Sequence, residues 1–282
     1  MSVAPVIPQF LIIGAVKAAT TWLNFQLQQC ERIFIPKAEP KFFSQDFERG
    51  FDWYAGFFRD ARPDQLVGEQ SADYLAHPLA AQRLASALPH APLIAQLRDP
   101  VDRAYSDYCM LYRRGTVGPN IDDYLDQRRA EFRRFLDNGL YYQHLVRWQS
   151  LFPAEQLLVF LFEDVIERPE WTIRMVGRHI GLDQDILPRP MTNRVNDSRA
   201  PLLPLPVRKL LAPIKDLAKP LRGARWFETL RSTVARQVDY PPFPPELKLR
   251  LRDYYACDVE ALGKLIGRDL GGWLAEPRAA AA

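Results

Sequence analysis

The sequence predicts an α/β fold, a central parallel sheet flanked by helices, and three observations predict it. Strand-like and helix-like segments alternate along the 282 residues, the pattern of a parallel sheet covered by helices. Three of the four strand candidates are continuous apolar runs, as strands buried on both faces are. The first strand runs through a turn of small residues directly into a helix. With 48% hydrophobic and 25% charged residues the chain can bury a large core, so it reads as ordinary globular protein rather than disorder.

Taken in order, "QFLIIGA" (9–15) is the first strand and residues from Thr20 to about Cys30 the first helix. "QLVGEQ" (65–70) is a second, more polar strand, followed by a helix over Leu79–Leu88. "APLIAQLR" (91–98) is a third strand. Asp99 then Pro100 start the next helix, a capping carboxylate before the residue best suited to the first helical position. That helix spans Pro100–Arg114, with Val101, Ala104, Tyr105, Tyr108, Leu111 and Tyr112 forming one apolar stripe. Helices are also expected over Ile121–Leu136, Tyr141–Leu151, Pro169–Ile180 and Pro245–Ile266, with a fourth strand, "QLLVFLFE", at 156–163. Prolines at 201, 204, 206, 213, 220, 241, 242, 244 and 245 and an excess of basic residues mark 199–244 as an irregular basic lobe. Residues 1–282 are read as a single domain with this lobe laid over the sheet. The closing "EPRAAAA" has no periodicity and is expected to fray.

Charge and cysteine content exclude several classes. Net charge is +3, from 37 basic and 34 acidic residues, so the positive coat of a nucleic-acid binder is not indicated. Cys30, Cys109 and Cys257 are odd in number, far apart and without C-x-x-C spacing, which argues against a disulfide framework or zinc site and for a reducing compartment. No segment approaches the roughly 20 apolar residues of a membrane span, and the N-terminus lacks a secretory signal pattern. A cytoplasmic location is expected.

"FLIIGAVKAATTWL" (10–23) reads as strand, turn and helix. A helix N-terminus offers unpaired N–H groups and the positive end of the helix dipole, so the turn from Gly14 to Thr21 is a natural anion cradle. Lys17 adds a full charge, and Thr20 and Thr21 can cap the helix or donate hydroxyls to an oxyanion. Any strand-to-helix turn also favours small residues and a capping threonine, so this stretch alone leaves both readings open. It is P-loop-like but not a nucleotide P-loop, G-x-x-x-x-G-K-[ST], whose lysine directly precedes the magnesium-binding hydroxyl. Here Lys17 stands three residues ahead of Thr20 and no second glycine is present. A sulfuryl group carries one less negative charge than a terminal phosphoryl group, so lysine, hydroxyls and amides could stabilise its transfer without a metal.

In "LIAQLRDPVDRAYSDYCMLYRRG" (93–115), Arg98 stands at the carboxyl end of a strand. Ser106 lies almost opposite the apolar stripe of the following helix and faces either solvent or a ligand at the switch region of the sheet.

Together the two stretches resemble the sulfotransferases that use 3'-phosphoadenosine 5'-phosphosulfate (PAPS) and release 3'-phosphoadenosine 5'-phosphate (PAP). "GAVKAATTWL" resembles the family's 5'-phosphosulfate loop, and "LRDPVDRAYSDY" its 3'-phosphate motif, with Arg98 and Ser106 at the family's separation. "AEPKFFS", "FDWYAGFF", "VGEQSADYL", "GLYYQHLVRWQSLFPAEQLLVFLFEDV" and the final "LRDYYACDVEALGKLIGRDLGGW" resemble segments of the heparan-sulfate sulfotransferase branch and its bacterial relatives. The resemblance implies the sulfotransferase fold, related to that of P-loop NTPases, and PAPS as donor with no metal. It implies that Lys17, with Ala18, Ala19, Thr20 and Thr21, holds the phosphosulfate, that Trp22 packs near the adenine, and that Arg98 and Ser106 bind the 3'-phosphate. Lys17 would also assist the departing phosphate. It makes Glu39 the general base that takes the acceptor's proton.

Lys41, Gln70 and His144 are the candidate acceptor-side residues, with His144 the next candidate base. Four departures stand out. Ala19 occupies the loop's usual glycine, which argues against a glycine-type backbone angle there. Ala38 replaces the lysine before Glu39, Lys41 the histidine of H-F-F, and Gln70 a lysine. The last three touch the acceptor side, so heparan sulfate is not carried over as substrate. Carbohydrate, lipid, polyketide and phenolic hydroxyls all fit the chemistry, the choice between O- and N-sulfation stays open, and nothing bears on oligomeric state. Two other classes remain: a kinase-like nucleotide enzyme, for which Glu69 could be offered as metal ligand, and a catalytically silent PAP-binding module.

Overall fold

The computed structural model describes residues 6–183, 186–190 and 237–275. Five strands, β1 (Phe10–Gly14), β2 (Ile33–Phe34), β3 (Leu66–Gln70), β4 (Leu93–Leu97) and β5 (Leu157–Leu161), form one sheet in the order β2-β3-β1-β4-β5. Every pairing is parallel. The apolar runs do what their composition requires: β1 and β4 are buried at every residue. Alternate side chains of β1 feed two cores. Leu11 and Ile13 enter the larger one, with Tyr74, Tyr108 and Trp148. Phe10 and Ile12 enter the smaller, with Leu23 and Leu27 of α1 (Thr20–Gln28).

Between β2 and β4 lie α2 (Gly50–Ala55) and α3 (Ala80–Ala87). After β4 come α4 (Pro100–Arg114), α5 (Asp122–Leu125), α6 (Arg134–Asp137) and α7 (Tyr141–Gln149). After β5 come α8 (Phe162–Glu167), α9 (Pro169–His179), α10 (Pro245–Ile266) and α11 (Gly271–Leu274). Helix α9 joins α1 over the smaller core, whereas α4, α7 and α10 cover the larger one. The connection from β1 leads towards β2 and that from β4 towards β5, so the chain diverges at the carboxyl ends of the adjacent strands β1 and β4. Open α/β sheets bind ligands at such a divergence.

Helices α4 and α10 have the bounds the sequence predicts, and the Asp99 carboxylate caps α4 by accepting from the N–H groups of Val101 (2.8 Å) and Asp102 (3.2 Å). The single helix expected over Ile121–Leu136 is instead two short turns, α5 and α6. Asp126 breaks it: the Asp126 carboxylate accepts from the Arg128 N–H (2.9 Å) and from the Arg250 guanidinium on α10 (3.2 Å), a local bond that competes with helix continuation. The strand expected at 156–163 ends at Leu161, where α8 begins at once; Asp164 accepts from the Leu161 N–H (2.9 Å). Most of the expected basic lobe, 199–236, falls outside the described residues. Its end, 237–244, is not helical and lies on α4, with the Tyr105 hydroxyl donating to the Pro241 carbonyl (2.8 Å) and Phe243 stacked on Tyr105.

Gly14 ends β1 where no side chain fits: a Cβ there would meet the Leu75 Cβ at 2.6 Å and the Ala72 carbonyl at 3.2 Å. Gly14→Ala should therefore lower stability by about 1–3 kcal/mol, the usual cost of overpacking, measured as a lower denaturant midpoint with an unchanged slope.

Candidate active site

Between β1 and α1 the backbone twice enters the left-handed region, at Lys17 (φ 68°) and at Ala19 (φ 67°). The second corrects the sequence expectation for Ala19. An alanine methyl is small enough to adopt the angle, at a cost of roughly 1–2 kcal/mol, when the flanking strand and helix impose it. A second correction follows: Ala19 is the N-cap of α1 with no side-chain cap, so Thr20 and Thr21 belong to its first turn and neither caps it. The N–H groups of Lys17, Ala19, Thr20 and Thr21 have no acceptor among the described residues. Alternating backbone of this kind makes an anion-binding concavity, here added to a helix N-terminus.

Lys17 is half-buried and makes no hydrogen bond or ion pair among the described residues. Burial lowers its pKa and the positive charges of Arg114 and Arg98 lower it further, while Asp107 opposes them. Ala18 is fully buried, and Trp22 is half-buried against the smaller core. Arg98 follows β4 and leans over the Phe162 ring, 5.1 Å from its centroid. Among the described residues its one ion partner is the exposed Asp102, at 3.7 Å, a pairing worth little in water. Ser106 is half-buried, and its side chain makes no hydrogen bond among the described residues. The buried face of α4 is wider than the predicted stripe. Arg103 and Asp107 are both fully buried, and Asp107 also receives Arg134 at 3.1 Å. The i, i+4 spacing of Arg103 and Asp107 was the available sequence signal for this pair.

Glu39 and Gln70 come to the same cradle. The Gln70 side-chain amide donates to the Glu39 carboxylate (3.0 Å) and to the Thr20 hydroxyl (3.3 Å). Glu39 stays accessible to solvent. Desolvation nevertheless raises its pKa, Lys41 and the Gln70 bond offset part of the rise, and Asp73 adds to it. Lys41, at φ 52°, donates its backbone N–H to the Ser71 hydroxyl (2.9 Å). His144 is buried on α7, with Nε2 at the Asp137 carbonyl (2.8 Å) and Nδ1 facing the Arg147 guanidinium (3.4 Å). Burial pushes its pKa down to about 4.

Sequence reasoning missed a cage beneath the Glu39 segment. Glu69, fully buried, accepts hydroxyl hydrogen bonds from Tyr54, Ser71 (2.7 Å) and Tyr74 (2.6 Å). The Ser71 and Tyr74 hydroxyls in turn accept the backbone N–H groups of Lys41 and Phe43. Glu69, offered above as a metal ligand, is thus engaged by protein hydroxyls. The E-x-S-x-x-Y spacing was the only sequence trace of this cage.

A model described as "Sulfotransferase family" matches residues 72–185. The crystal structure of a sulfotransferase from Alicyclobacillus acidocaldarius superposes with a TM-score of 0.72 at 26% identity, covering 96% of this chain and all of that one. The chain is thus similar to sulfotransferases, in sequence over residues 72–185 and in fold over nearly its whole length. Among curated relatives, this chain is 27% identical to human bifunctional heparan sulfate N-deacetylase/N-sulfotransferase 2 over 96% of its own length and 31% of the human protein. It is 26% identical to mouse heparan sulfate glucosamine 3-O-sulfotransferase 3B1 over 94% of its own length and 65% of the mouse protein. The chain thus spans less than two thirds of these curated relatives. Among its described residues no helix is long and apolar enough to cross a membrane.

Burial pushes the Glu69 carboxyl from an ordinary 4.5 up to about 7. The folded state therefore holds this proton where the unfolded chain has lost it, so the contribution of Glu69 to stability is full below about pH 4.5 and is lost as pH rises through 7. Glu69→Gln should flatten that part of the stability profile, read from denaturant midpoints across pH 4–8.

Proposed function

We propose that this protein is a sulfotransferase that transfers the sulfuryl group of PAPS to a hydroxyl or amine acceptor and releases PAP. The observation that carries the reading is the Gln70 amide bridging Glu39 to Thr20, because it sets a carboxylate beside the hydroxyls and free N–H groups of an anion cradle. In this reading the N–H groups from Lys17 to Thr21 and the Lys17 ammonium hold the phosphosulfate, with Ala18 and Ala19 shaping the turn and Trp22 near the adenine. Arg98 and Ser106, one weakly paired and the other with no side-chain partner among the described residues, take the 3'-phosphate.

The acceptor oxygen or nitrogen attacks sulfur in line, the bond from sulfur to the bridging phosphate oxygen breaks, and the acceptor's proton passes to Glu39. The departing electron pair stays on the phosphate oxygen, where Lys17 offsets the new charge. The raised pKa of Glu39 suits a base, since proton affinity nearer the working pH improves transfer. A carbohydrate acceptor is supported by relatives named for heparan sulfate. Ala38, Lys41 and Gln70 differ from that branch, so the acceptor is a hydroxyl or amine compound of its own, with lipid and polyketide hydroxyls in range. Cys30, Cys109 and Cys257 form no disulfide among the described residues, which supports a reducing, cytoplasmic setting.

Lys17→Ala should lower turnover about 100-fold or more with a smaller loss of PAP affinity. Glu39→Gln should lower turnover by roughly 100- to 10,000-fold and leave PAP affinity unchanged. Steady-state sulfation of a surrogate acceptor and calorimetry with PAP check both; near-normal turnover in either variant removes that residue from the mechanism.

Arg98→Ala separates the 3'-phosphate site from the rest. The variant should bind PAP much more weakly while binding adenosine 5'-phosphosulfate, which lacks the 3'-phosphate, about as well as the parent protein. Equal losses for the two ligands would make Arg98 structural.

A further inference from the structure

Gln70 stands on β3 where the resembling enzymes carry lysine, and its surroundings give it a specific task. Its side chain is only 6% exposed. The amide nitrogen has two protons, and its two acceptors are the Glu39 carboxylate and the Thr20 hydroxyl. The Oε1 atom is buried without any donor among the described residues. Turning the amide over would set that oxygen against a carboxylate, so Glu39 fixes the orientation. A buried carbonyl without a donor is destabilising, and an apolar residue of the same shape would avoid the cost. The retained amide is therefore explained by its nitrogen, not by packing.

We propose that Gln70 is a positioning residue that couples the base to the donor site, holding the Glu39 carboxylate in register with Thr20 and setting its proton affinity. Because Thr20 accepts from Gln70, its own hydroxyl proton is left to point at a bound oxyanion. One neutral amide thus aligns the group that removes the acceptor's proton with a group that holds the donor. A lysine in the same place would deliver a charge to the carboxylate instead, so this chain works with a more basic Glu39 than a lysine-bearing site would have. The other charged groups acting on the carboxyl are Lys41, from its own segment, and Asp73, beyond β3.

The inference rests on Glu39 being the base, and the test keeps the two apart. Gln70→Glu, Gln70→Lys and Gln70→Met are compared by titrating the Glu39 carboxyl with carbon-13 NMR, assigned by its loss in Glu39→Gln, and by the acid limb of kcat/KM with PAPS. Gln70→Glu should move both midpoints up by about one pH unit or more, as a second carboxylate in one site does, and Gln70→Lys should move both down. Gln70→Met, which loses the donor without adding charge, should move them up by less and lower kcat more than it raises KM for PAPS. Midpoints unmoved through the whole series, with kcat and KM changing together, would overturn the proposal and leave Gln70 a packing residue. The NMR titration needs no turnover: shifted carboxyl midpoints in a protein that transfers no sulfuryl group would sink the reading of Glu39 as base while upholding its link to Gln70. Should Gln70→Glu not fold, the opposite shifts expected of Gln70→Lys and Gln70→Met decide the same question.

Discussion

The Ala15 N–H donates to the Gln96 carbonyl at 2.8 Å, and the rest of the site depends on what that bond enforces. It fixes the first residue beyond β1 against β4, so the turn carrying Lys17 and the residue following β4, Arg98, leave the sheet from adjacent points on one rim. Parallel pairing then puts the end of β3, with Gln70, on the same rim. Two cations are thereby held near each other, which the depressed proton affinity of Lys17 registers. Asp107 offsets part of that repulsion and is itself locked by Arg103 and Arg134. The fold thus keeps Lys17 and Arg98 close to each other at the carboxyl edge of the sheet.

What the sequence made legible follows from how local each determinant is. Helices α4 and α10 are bounded by punctuation that acts on its own neighbours: Pro100 and Pro245 at their starts, and Gly115 and Gly267 in left-handed conformation at their ends. Helix α5 stops at Asp126 partly because Arg250 arrives from a helix far along the chain, and no pattern within 121–136 announces it. The early end of β5 is similar, since Asp164 is held by Arg168 and by Arg268 from the distant carboxyl-terminal region.

The site divides along the same line. Lys17, Arg98 and Ser106 sit in contiguous motifs, so the turn and the helix that carry them were readable. The left-handed angle at Ala19 was not, because alanine's own preference opposes it and only the strand and helix on either side impose it. Nor was the burial of His144, whose ring nitrogens face Asp137 and Arg147. Glu69 illustrates the remaining gap. A glutamate in a strand acquires its meaning from Tyr54 on α2 and Tyr74 beyond β3, partners that come together only in three dimensions.

The cage around Glu69 grips the segment bearing Glu39 by its main chain. Ser71 and Tyr74 accept the N–H groups of Lys41 and Phe43, and Arg83 donates to the carbonyls of Phe43 and Ser44. None of these bonds consults a side chain of residues 37–41. The segment is consequently an exchangeable cassette: its outward residues are free to diverge while its path over the sheet is kept. A lineage can rewrite Ala38 and Lys41 without rebuilding the cage beneath, and a protein engineer can graft foreign sequence at the same place.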